Sequence, residues 1–171
     1  MKMRFEFPAG TPPDAPQRGA APVGLLHELP PVELAAVVYL RAWCEGGAHR
    51  QITEKDFSLV MGDEEGTAAV EAFNTLVTVL LSDARRPVMR HSLGCKCFGG
   101  DESAFANMIA AAAGRDREDA YLFACILMTG HAAWLAVQLA LRLGQTFLRL
   151  ARTSDGARMP AHSPEPTLTK H

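Results

Sequence analysis

The chain holds 171 residues, 48% of them apolar, with 17 basic against 19 acidic side chains for a net charge of −2. That is one domain's worth of chain with apolar surface for a substantial core, which excludes collagen-like, mucin-like and wholly disordered classes. The balanced charge also excludes a broadly basic nucleic-acid binder, because no overall field is available to neutralise many phosphates.

Proline sets the boundaries. Seven of the eleven prolines fall at or before Pro31, three at or after Pro160, and only Pro87 lies between. Interior proline breaks helices, so residues 32–152 read as a helical domain between a proline-rich leader over 1–31 and a flexible tail over 153–171. Within the leader, Met3, Phe5 and Phe7 alternate with Lys2, Arg4 and Glu6, a short strand pattern suited to a docking arm, while 8–22 reads as extended. No apolar run follows the first Met-Lys to mark a secretory signal, so the expected location is the cytoplasm, where the four cysteines stay reduced.

Inside the body the apolar period is 3.6. Pro30-Pro31 opens a first helix near Val32 and Gly46-Gly47 closes it after Cys44. Thr53 with Asp56 three residues on resembles a capping box, predicting a short second helix that ends near Gly62. Val70, Phe73, Val77, Leu80 and Ala84 form an apolar stripe that runs until Arg85-Arg86-Pro87. Phe105, Met108, Ile109 and Ala112 define a fourth helix stopping at Gly114, and Asp116 caps a fifth with Tyr121, Ala124, Cys125 and Met128 on one face. A sixth runs from about His131 to Arg152. With no strand alternation between 32 and 152, the fold class expected is all-α, a compact bundle of about five to six helices.

One stretch demands a membrane test, because Ala120 to Leu141 contains 22 residues without a charge. A turn at Thr129-Gly130-His131, and the cost of Gln138 and His131 facing lipid, favour two soluble helices over an anchor through 120–141.

The chemistry concentrates between Arg85 and Asp101. That loop carries His91, Cys95 and Cys97 among Gly94, Gly99 and Gly100. Thiolate and imidazole are preferred zinc donors, and glycines let a short backbone wrap a small ion, so these three residues are candidate metal ligands. Cys44 is the first choice as a fourth, ahead of Asp101, Cys125 and His131. A second reading makes Cys95 and Cys97 a redox thiol pair, activated by Arg85, Arg86, Arg90 and Lys96 and by the helix that follows. The third is ordinary packing of cysteine as a small apolar side chain. Trp43 and Trp134 read as core, and an exposed tryptophan would instead favour a binding face.

No nucleotide-binding, zincin, hydrolase or calcium-loop motif occurs, and acidic pairs such as Glu64-Glu65 and Glu118-Asp119 sit where helix dipoles explain them. The expected function is a non-enzymatic regulatory or interaction protein with a protein partner and a Cys/His centre in the 85–101 loop. The alternative is an enzyme with a pocket between helices and His91 or His131 as base. Nucleic acid is not an expected partner.

Overall fold

The computed structural model describes residues 19–156, so the alternating segment 1–7 and most of the tail lie outside the described residues. Two short strands and six α-helices make up the described chain: β1 (Pro22–Leu25), a 3₁₀ turn (Leu26–Glu28), α1 (Pro31–Glu45), α2 (Gly47–Met61), α3 (Asp63–Ser82), β2 (Cys97–Gly99), α4 (Gly100–Ala113), α5 (Arg117–Leu127) and α6 (Gly130–Gly156). The expected mostly helical bundle is what forms.

Why each helix starts and stops follows from local chemistry. Pro31 occupies the first turn of α1, where its missing N–H costs nothing, and Gly46 ends the helix at φ 75°, a left-handed conformation that glycine adopts without strain. Asp63, Glu64 and Glu65 fill the first turn of α3 and complement its dipole. The Asp116 side chain accepts from the backbone N–H of Asp119 and starts α5. The second helix departs from expectation. It begins at Gly47, and Thr53 sits mid-helix with its hydroxyl donating to the His49 carbonyl 3.1 Å away instead of capping. The hydroxyl's ability to bond one turn back inside a helix removes the need for a break there.

The core centres on α6, whose face from Ala133 through Ala136, Ala140, Leu143 and Phe147 is fully buried. Phe147 packs against Phe57 of α2, Phe73 of α3 and Tyr39 of α1, with Trp43 edge-on to Phe73. Such aromatic pairs add about 0.5–1.5 kcal/mol each beyond the area they bury. Gly144 lets α6 approach α4 closely, since a Cβ there would stand 2.9 Å from the Cα of Ala113. The predicted faces of α3 and α4 are the buried ones, Phe73, Val77 and Leu80 in one and Phe105, Met108, Ile109 and Ala112 in the other. Ala84 lies past the end of α3, in a backbone bridge to Met128.

Two expectations change, and the expected division of 120–141 into two helices is met. Trp134 is 57% exposed, because the small and aliphatic side chains beside it form the core face of α6 and leave the indole on the opposite side. On α5 the buried residues are Ala120, Ala124 and Leu127, so Tyr121 turns outward, although Met128 just beyond the helix is buried. The uncharged stretch 120–141 divides at Met128-Thr129 into α5 and α6, and among the described residues no helix is long and apolar enough to cross a membrane.

The leader and the chemical loop are joined. β1 and β2 pair antiparallel, Pro22 with Gly99, Gly24 with Phe98 and Leu25 with Cys97. Alternation fails as a signal here because both strands are three or four residues long, too short to display a period of two, and two of the three residues of β2 are cysteine and glycine. The Leu26 N–H donates to the Lys96 carbonyl at 2.8 Å and extends the contact toward the cysteines.

Candidate metal centre

The loop between α3 and α4 is pinned from beneath by one arginine of α1. Arg41 lies one turn from Val37 on the core-facing side and is 1% exposed. Its Nε and one terminal nitrogen donate to the two Glu102 carboxylate oxygens at 2.6 and 2.9 Å. The remaining N–H groups donate to backbone carbonyls of the loop: Ser92 at 3.2 Å, Cys95 at 2.8 Å and Cys97 at 2.7 Å. All five guanidinium donors are thereby used, and a planar fork of this kind fixes carbonyl positions as a flexible ammonium does not.

Glu102 completes the frame from the first turn of α4. Besides Arg41 it accepts from the backbone N–H of Gly99 at 2.9 Å, of His91 at 3.1 Å, and stands 2.9 Å from His91 Nδ1. Burial acts to raise its pKa, but the hydrogen bonds from Arg41, His91 and Gly99 outweigh burial and hold the carboxyl below its ordinary value. An ionised carboxylate only accepts, so the neutral His91 ring carries its proton on Nδ1 and keeps the Nε2 lone pair for another partner. A carboxylate behind a histidine in this way sets the tautomer and raises the basicity of a metal ligand.

The donors meet. A ring nitrogen of His91 and the sulfurs of Cys95 and Cys97 all lie within 4.8 Å of one another, each side chain partly exposed. The two Sγ atoms are 2.7 Å apart, closer than non-bonded sulfurs rest. The contact between the two thiols lowers the pKa of Cys95 and raises that of Cys97. Tetrahedral zinc with sulfur at about 2.3 Å needs a sulfur separation of about 3.7 Å, so these side chains would open by about 1 Å around an ion. Soft sulfur with one imidazole fits zinc and does not suit magnesium or calcium. Arg41 poses no barrier to a cation, because Glu102 neutralises it.

The other sequence candidates lie elsewhere. Cys44 is not among the donors brought together. It borders the core one turn beyond Arg41, with its pKa raised by burial against the opposing influence of Arg90, and the guanidinium of Arg41 takes the place beneath the loop. Asp101 is buried and engaged by Arg86 at 2.6 and 2.7 Å and by the Met89 N–H at 2.8 Å. Cys125 lies on α5, partly buried against the core, and His131 is exposed at the start of α6. Of the basic run, Lys96 is exposed and the three arginines are engaged within the fold. Arg85 caps α5 by donating to the Cys125 and Met128 carbonyls, Arg86 pairs with Asp101, and Arg90 stands 3.9 Å from Glu45.

Sequence reasoning missed Arg41 and Glu102. A signal for each was present: an arginine in register with Val37, Leu40 and Cys44 is a charge on an apolar face, and Gly99-Gly100-Asp101-Glu102 places an acid at the third helical position. Comparison of the chain with protein-family models, with curated proteins and with solved structures returns no match.

Proposed function

We propose that the protein is a cytoplasmic regulatory or interaction protein built around a zinc centre held by His91, Cys95 and Cys97. The observation that carries this reading is the convergence of three soft donors within 4.8 Å over a buried frame that already orients the histidine. Structural zinc sites are closed by four protein ligands, whereas an open one keeps a position for solvent or another molecule. Three converged donors on a partly exposed loop fit the open kind, with the fourth position offered to water or to a side chain of a protein partner.

The test is metal content of full-length, tag-free protein purified under reducing conditions and dialysed against zinc. One zinc per chain is expected, lost in Cys95→Ser and in Cys97→Ser and retained in Cys44→Ser. Substoichiometric metal in the parent protein, or equal binding by all three variants, overturns the assignment. Loss in Cys44→Ser in addition to the two loop variants would put the fourth ligand on α1.

A further inference from the structure

The sulfurs that would hold the metal are also placed to bond to each other. Their 2.7 Å separation lies about 0.65 Å from the bonded distance of about 2.05 Å, while zinc requires them to part by about 1 Å in the other direction. The pair therefore stands between two outcomes that exclude one another, since a sulfur in a disulfide is no longer a thiolate ligand.

The surroundings favour interconversion without unfolding. Arg41 holds the carbonyls of both Cys95 and Cys97, so the backbone on either side of Lys96 is fixed by bonds that involve neither sulfur. β1 restrains the same segment from the other side through the pairing of Leu25 with Cys97. Both cysteines are partly exposed, so a small oxidant reaches them. Cys44 and Cys125 lie outside the cluster and do not compete for the pair.

We infer that the site is a peroxide-operated zinc switch: a hydroperoxide converts Cys95 and Cys97 to a disulfide and releases the ion, and a dithiol reductant restores the binding form. This rests on the zinc reading above. One sulfur, as thiolate, attacks the terminal oxygen of the hydroperoxide. The O–O bond breaks, and the alcohol, or water from hydrogen peroxide, leaves after taking a proton. The sulfenic acid so formed is attacked by the second thiolate; an S–S bond replaces the S–O bond, and hydroxide departs as water on protonation. Two electrons pass from the sulfur pair to the peroxide. Zinc leaves as the divalent ion it was, with no change of oxidation state.

Full-length protein loaded with one equivalent of zinc is titrated with hydrogen peroxide in the presence of a chromogenic zinc chelator, and peptide mass mapping follows without reduction. One equivalent of peroxide is expected to release one zinc per chain, join Cys95 to Cys97 with a loss of two hydrogens, and cut rebinding at least tenfold until reductant is added. The Cys44→Ser/Cys125→Ser double variant is expected to behave identically. In Cys97→Ser, oxidation is expected to stop at a sulfenic acid trapped by a 1,3-diketone. Zinc that binds but stays bound under peroxide, or is released with no Cys95–Cys97 disulfide, overturns the switch and leaves the metal assignment intact. Reduced protein that takes up no zinc overturns both.

Discussion

Arg41 and Glu102 face each other across the base of the loop with both side chains sealed from water, 1% and 0% exposed, although 61 residues separate them in the chain. Such a pair contributes less as attraction than as a constraint, because the desolvation of both charges offsets much of their mutual gain. Removing one partner is another matter. Arg41→Ala leaves a buried carboxylate without its cation and takes the guanidinium donors from the Cys95 and Cys97 carbonyls, while Ser92 keeps the Cys95 N–H; about 3–5 kcal/mol of destabilisation is expected by denaturant titration. Arg41→Lys restores charge but not the fork, and zinc affinity is expected to fall even where the fold survives.

The acid response follows from Glu102. Its folded pKa is depressed, so its contribution is present above the ordinary carboxylate value and disappears as pH falls through the folded one. Metal-free protein is therefore expected to lose stability below about pH 4.5 and to lose less of it in Glu102→Gln, which starts lower. Urea midpoints measured from pH 7 to pH 3 in the two proteins check this; parallel curves would show that Glu102 is not the group responsible.

Thiol labelling separates the four cysteines. Burial raises the Cys44 pKa, whereas the contact with Cys97 lowers that of Cys95 on a partly exposed loop. In reduced, chelated protein at neutral pH, one of the loop cysteines is expected to react with iodoacetamide at least several-fold faster than Cys44. Added zinc is expected to suppress that fast reaction. Mass spectrometry of timed samples gives the order.

Close packing makes a further test. A Cβ at Gly66 would lie 2.6 Å from the Cα of Ser58, a backbone atom that cannot swing away. Gly66→Ala is expected to cost about 1–3 kcal/mol by forcing α2 and α3 apart, despite alanine's better helix propensity. Trp134→Gln, on the exposed side of α6, is expected to change stability by less than about 0.5 kcal/mol. Thermal unfolding of both variants distinguishes a buried contact from a free surface.

The helices were legible where apolar residues recur every three or four positions, as in the run from Val70 to Leu80. Periodicity could not reveal β2, which is three residues long and gains its partner from the leader, nor the mid-helix role of Thr53. For the site, donor chemistry was visible in His91, Cys95 and Cys97 because ligand type is a local property. Its supports were not, since the pairing of Arg41 with Glu102 depends on how two distant helices cross. Cys44 shows the same limit: its apolar register said which side of α1 it occupied but not that Arg41 would stand between that helix and the sulfurs.

The pairing of β1 with β2 has a mechanical corollary. Gly19 accepts from the Asp101 N–H in the first turn of α4, and the chain is then laced to the cysteine segment through Pro22, Gly24 and Leu25. Tension applied upstream would therefore load the start of α4 and the Cys97 segment together, ahead of the rest of the bundle.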